Sequence, residues 1–203
     1  MFSLQAHQLR VAAVAKTICE KLENSIDSKS ILTACLLHDM GNILKFDLNL
    51  FPQFLEPEGL EYWQKVKQEF EEKYGSDEYK ANIAIAEEFK VKPKILDLIS
   101  SIGFEKIEKY FLVKNLEKMI CEYADCRVAP TGIVSLDERL FDLEKRYGSR
   151  HFGQKDKHMR QKYYDLERQS EKYIFEKIAM KPEEISEEAL NDTIQELKLF
   201  KLS

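Results

Sequence analysis

Four side chains able to hold a divalent cation stand at three distant places in the sequence: His7 in "AHQLRVAAVA", the doublet His38-Asp39 in "ACLLHDMGN", and Asp125 in "EYADCRV". Two imidazoles and two carboxylates suit manganese, iron, cobalt, nickel or zinc, whereas magnesium is less at ease with imidazole. One ion held this way would activate a water and polarise an oxygen, which is hydrolytic chemistry. Taken alone, the His-Asp doublet has a plainer explanation, a satisfied core histidine beside a helix-end aspartate. Asp125 weakens that explanation, because it falls late in an apolar stretch where an ionised carboxylate needs a partner.

The elements that must position these groups are helices. Leu4, Val11, Val14, Ala15, Ile18 and Leu22 form one apolar stripe, with Ser3 as the expected N-cap and His7 and Arg10 on neighbouring positions. A second helix is expected from Ser28 or Ser30 to the doublet, stopped by Gly41. There both polar side chains can reach one point beyond the last turn. Residues 47–57 contain two prolines and read as an irregular connection. Helices follow over 58–73, from Ser76 or Asp77 to Phe89, and from Pro93 to Ser101. The stretch 104–128 reads as one long helix, broken by Pro130 and Gly132, and Ser135 and Glu138 have capping-box spacing for a helix to Tyr147. A charged helix with interleaved aromatic residues is expected from Gln154, and an amphipathic one after Pro182 carrying Ile185, Leu190, Ile194, Leu197 and Leu199. No strand alternation and no internal repeat is present, so the fold class is all-α. The division is a core domain over 1–147 and a helical C-terminal extension over 148–203.

Bulk properties narrow the function classes. A formal charge of −5 gives no general electrostatic drive toward nucleic acid. The 4 cysteines form no Cys-x-x-Cys pair, so neither a zinc knuckle nor a redox dithiol is indicated, and buried reduced thiols are expected. The start lacks a basic cluster and cleavage site, and no apolar run approaches the ~20 residues of a membrane span. A cytoplasmic, non-membrane protein is the expectation.

The ordered set of an early-helix histidine, a His-Asp doublet and a distant aspartate resembles the HD-domain superfamily of metal-dependent phosphohydrolases. The likeness covers about residues 4–147 and extends through "YADCRVAPTGIVSLDERLFDLEKRY". It implies an HD-type helical bundle with His7, His38, Asp39 and Asp125 as metal ligands. Two departures stand out. Many members read His-Asp-x-Gly-Lys, and this chain has Asn42 at the lysine position. Dinuclear members carry two further histidines, but Tyr79 stands where one is expected, and no histidine lies between His38 and His151. A single metal ion is therefore the expectation.

The resemblance implies hydrolysis of a phosphate ester of a small molecule, with a nucleotide as the first candidate. The general base would be Asp39, acting as ligand and proton acceptor together, or a glutamate among Glu69, Glu71, Glu72, Glu78, Glu87 and Glu88. Arg10 is a candidate for phosphate contact and catalysis, and Lys45 a candidate stand-in for the absent lysine, although a surface arginine and a loop lysine are the ordinary alternatives. The basic run Arg146, Arg150, His151, Lys155, Lys157, His158, Arg160 and Lys162 could fold over the site, or be no more than a charged exposed helix. The competing function is a catalytically silent HD domain that binds a ligand or partner. A homo-oligomer is compatible with either.

Overall fold

The computed structural model describes residues 1–22, 26–50, 52–147 and 157–201. Helix α1 (Phe2–Lys21) is the axis of the fold, because Val11, Ala12, Ala13, Val14 and Ala15 are all fully buried. Five consecutive buried residues leave no face of that segment in water, and the alanines let neighbouring helices approach closely. Helices α2 (Ser28–Leu37), α7 (Leu116–Asp125) and α10 (Asn191–Leu197) all pack on it.

Local chemistry sets most of the boundaries. Asp27 caps α2 by accepting from the Ser30 N–H, and Asp77 caps α4 (Glu78–Glu88) through Tyr79 and Lys80 N–H. Pro93 opens α5 (Pro93–Ser101), where its missing N–H is no loss. Helix α3 (Leu60–Tyr74), highly charged, buries none of its residues fully and ends at Gly75 with φ 80°. Ser135 and Glu138 bond reciprocally at the start of α8 (Leu136–Tyr147).

Four expectations change. The amphipathic helix expected after Pro182 is a 3₁₀ turn at Pro182–Glu184 and the short α10, which carries Ile194 and Leu197 but not Ile185, Leu190 or Leu199. The first helix starts at Phe2, so Ser3 lies inside it rather than capping it. The single helix expected over 104–128 is two, α6 (Ile107–Leu112) and α7, after a 3₁₀ turn at Phe104–Lys106. Lys114, at φ 51°, reverses the backbone, and Asn115 caps α7 by accepting from Lys118 N–H. The apolar period continues across the break, which is why the sequence pattern hides it. Around Pro130 a two-residue hairpin forms, pairing Val128 with Ile133 and Ala129 with Gly132, too short to show strand alternation. Helix α9 (Lys157–Phe175) follows as expected in type, while the part of the expected helix before Lys157 lies outside the described residues.

The C-terminal helices share the core of the N-terminal ones. Tyr164, Ile174, Ile178, Ile185, Leu190 and Leu197 join the buried cluster formed by α1, α2, α5 and α7, while Leu199 is exposed. Arg127, 2% exposed, clips the segments together by donating to the carbonyls of Val134, Pro182 and Ile185 and to the Tyr123 hydroxyl. The Tyr123 hydroxyl donates in turn to Glu171 at 2.7 Å. All four cysteines are buried thiols, as expected.

One buried group has no polar compensation. Glu167 on α9 is fully buried, and neither carboxylate oxygen has a hydrogen-bond partner among the described residues. It lies beside Glu122 and Cys126, the three donor atoms being within 4.8 Å of one another. Burial pushes the Glu122 carboxyl up to about 7 and raises Glu167 and Cys126 well above their usual ranges, with the neighbouring carboxylates adding to the effect. Burial thus favours the protonated forms of Glu167 and Cys126 in the fold.

Two outcomes follow from this packing. Arg127→Ala leaves the buried Ile185 carbonyl and the part-buried Val134 and Pro182 carbonyls without a donor and should lower unfolding free energy by about 3 kcal/mol in chemical denaturation. For Glu167, the folded state keeps a proton that the unfolded chain loses above the ordinary glutamate range. Its contribution to stability therefore falls as pH rises from that range toward the raised folded value. Glu167→Gln, which removes the titration, should melt progressively higher than wild type as pH goes from 5 to 8.5 in chelator, read by thermal denaturation.

Candidate metal centre

His7 comes from the second turn of α1. His38 is the residue that ends α2, and Asp39 begins the turn beyond it. Past the last turn of a helix, side chains of successive residues are no longer fanned apart by the helical rotation, so both can face one point. Asp125 is the final residue of α7 and reaches the same point from another direction.

The turn carrying the doublet is fixed from α4. The Gly41 N–H donates to Asn82 Oδ1 at 2.6 Å, and a Cβ at Gly41 would lie 2.7 Å from Ala81 Cβ. Gly41 was expected to stop α2, a role that favours a left-handed backbone, but its φ is −91°. Close approach to α4 is what requires glycine here, and α2 already ends at Leu37.

The four groups converge. His7 Nε2 lies 3.0 Å from Asp125 Oδ1 and 3.5 Å from Asp39 Oδ2, and His38 Nε2 lies 3.4 Å from Asp125 Oδ1 and 3.5 Å from Asp39 Oδ1. The ligand atoms of His7, His38 and Asp39 are all within 4.8 Å of one another. His38 is buried, and its Nδ1–H donates to the Cys35 carbonyl at 2.8 Å, which leaves Nε2 bare and directed at the two carboxylates. That Nε2 has no hydrogen-bond partner among the described residues. A buried, oriented imidazole nitrogen facing two carboxylates is the donor set a divalent ion needs, and these residues fit one.

The electrostatics make the same demand. Burial opposes a charged His38, but Asp39 and Asp125 outweigh it and push the imidazole up to about 10. Burial likewise opposes an ionised Asp125, yet the His38 and His7 imidazoles facing it at 3.4 and 3.0 Å hold its carboxyl well below the usual carboxylate range. Two carboxylates in this position call for positive charge, from a proton on His38 or from a metal ion.

A family model for the HD domain matches residues 4–129, a span that contains all four of these residues. The chain belongs to the HD-domain family. No curated protein and no solved structure matches it. HD domains bind divalent metals at such a centre, and the fold is all-helical apart from the short hairpin. Among the described residues, no helix is long and apolar enough to cross a membrane.

Beside the centre of this HD domain lies a cavity of about 570 Å³, lined by His38, Asp39 and Asp125 at the metal centre and by Asn42, Lys45 and Tyr79 next to it. Lys45, an exposed residue, lines this cavity. Arg10 does not line the cavity. Its guanidinium donates to both oxygens of Glu187, at 2.7 to 2.9 Å, and the Ile133 N–H shares that carboxylate. Position on α1 next to His7 suggested a phosphate contact, but a carboxylate 177 residues away cannot be anticipated from helical spacing. Asn42 is buried on the cavity wall and its Oδ1 has no partner among the described residues.

Of three further cations lining the cavity, Lys106, Arg139 and Arg160, the first two were not read as site residues. Arg160 belongs to the basic run singled out in the sequence and is buried, whereas Lys157, His158 and Lys162 of that run are exposed, as a charged exposed helix would have them. Arg150, His151 and Lys155 of the same run lie outside the described residues.

Because His38 must shed its proton to accept a metal, affinity should rise with pH, by up to about tenfold per unit between pH 6 and 9. Nickel or manganese titration followed by calorimetry and melting temperature checks this. His38→Ala should remove both the affinity and its pH dependence.

Proposed function

We propose that this HD domain is a phosphohydrolase that cleaves a phosphate ester of a small molecule, with a nucleotide as the first class to test. The observation that carries the reading is the meeting of two imidazoles and two carboxylates at the mouth of a cavity that also presents Lys45 and three further cations. His7, His38, Asp39 and Asp125 would hold one divalent ion, from manganese, iron, cobalt, nickel or zinc, with magnesium the poorer fit. When bound, the ion supplies Lewis-acid polarisation of a phosphoryl oxygen and a more acidic attacking water.

The chain's own residues do the rest. Cys35 fixes the His38 tautomer through Nδ1, so Nε2 is the lone-pair donor throughout. Asp39, partly exposed at the cavity edge, accepts the proton of the attacking water as its oxygen bonds to phosphorus. The ester P–O bond breaks, and the leaving alcohol takes its proton from solvent. Lys45 neutralises charge on the phosphate oxygens from the cavity wall. Arg10 would join it only by releasing Glu187.

A second reading, a silent HD domain that binds ligand or partner, draws support from Asn42 in the place of lysine and Tyr79 in the place of histidine. The two readings separate in a phosphatase screen over nucleotides with each candidate metal, with and without chelator, on untagged protein. The hydrolase reading expects chelator-sensitive phosphate release that falls at least about 100-fold in His38→Ala and Asp125→Asn. Stoichiometric metal with no phosphate release under any metal would favour the silent domain.

A further inference from the structure

The cavity lining holds cations that neither the candidate metal centre nor a neighbouring carboxylate accounts for in full. Its wall away from the ligand-bearing helices comes from the 3₁₀ turn at Phe104–Lys106 and from α8 and α9, which contribute Lys106, Arg139 and Arg160. Arg160 is matched by Glu144, with its Nε 2.6 Å from that carboxylate. The other two are not matched in full.

Arg139 donates from one terminal nitrogen to Asp142 at 3.0 Å, but Asp142 also accepts two bonds from Arg146. One carboxylate therefore serves two guanidinium groups. The Nε of Arg139 is buried and has no acceptor among the described residues. A guanidinium presents its donors as a fork matched to an oxyanion, so an unused, desolvated Nε is a directional vacancy for one. Lys106 has no carboxylate within ion-pair distance among the described residues. Its ammonium donates to the Ile102 carbonyl at 3.1 Å and stands 4.2 Å from the centroid of the Tyr79 ring. Half-burial lowers the Lys106 pKa, as expected for an ammonium losing water without gaining an anion. Glu78 and Glu105 also line the cavity, but neither pairs with Lys106 or Arg139 among the described residues.

We propose that Lys106 and Arg139 form a second anion subsite, so that the substrate is a bisphosphorylated small molecule whose one phosphate lies at the metal centre and whose other is held by these two cations. The inference rests on the hydrolase reading for its catalytic part, while the subsite itself is a binding property and can be tested without turnover. Tyr79 and Phe104 also line the cavity and give it aromatic surface, which makes a nucleoside bisphosphate the natural probe.

The test compares adenosine 3′,5′-bisphosphate with adenosine 5′-monophosphate on metal-loaded full-length protein. Calorimetry should show the bisphosphate binding about 10- to 100-fold tighter, the size of a charge-assisted contact to one phosphate. Lys106→Gln, at a half-exposed position where folding is not at stake, should bring the ratio of the two affinities toward one, and so should Arg139→Gln. Arg139→Lys should recover only part of the preference, because a point charge replaces the fork. The preference for the bisphosphate should appear in KM more than in kcat. Equal affinity of wild type for the two probes, or an affinity ratio unmoved by Lys106→Gln and Arg139→Gln, would overturn the subsite. Binding preference without phosphate release would keep the subsite and overturn the hydrolase reading, and phosphate release from both nucleotides with no preference would do the reverse.

Discussion

The fold of this chain is organised around two carboxylates that must be offset by positive charge. Asp39 and Asp125 face the same two imidazole nitrogens at 3.0 to 3.5 Å, in a setting largely shielded from water. Like charges this close repel unless a cation lies between them, and their attraction to a divalent ion is strong where solvent screening is weak. The rest of the N-terminal architecture serves that arrangement. The alanine-rich middle of α1 lets α2 and α7 approach, so that the second turn of α1 and the C-terminal ends of the other two meet. The Gly41–Ala81 contact and the bond from Gly41 N–H to Asn82 hold the connecting turn in place.

A second layer of constraint comes from the C-terminal helices. They supply Tyr164, Ile174 and Leu190 to the common core, and through Arg127 they are tied to the end of α7, two residues from Asp125. Their Arg160 also joins the cavity wall, with Arg139 of α8 and Lys106 of the 3₁₀ turn. Stability and recognition are thus linked: the helices that bury the core are the ones that carry Arg160 and the carboxyl group of Glu167 toward the centre. Glu167 reduces stability at neutral pH by staying protonated against its ordinary preference, a local conflict of the kind that collects near functional sites.

The four converging side chains were legible in the sequence as candidate metal ligands because their chemistry is compositional: histidine and aspartate stand out in otherwise apolar helices. Helix type and most caps were legible too, since Asp77, Pro93 and the Ser135–Glu138 pair act through neighbours three or four residues away. What was hidden depends on distance in space. The break at Lys114 leaves the apolar period intact, and the role of Gly41 lies in its contact with α4 rather than in its own backbone angles. The occupation of Arg10 by Glu187 and the convergence of Lys106, Arg139 and Arg160 require the packing of α8 and α9 against the HD domain.

The account turns on which atoms take the ion. X-ray absorption at the metal edge of nickel- or cobalt-loaded protein reads that directly. A first shell of nitrogen and oxygen only, with the outer-shell scattering of two imidazoles that falls to one in His7→Ala, is the predicted result. Sulfur in the first shell, placing the ion at Glu122, Cys126 and Glu167 instead, or a spectrum without imidazole, would contradict it.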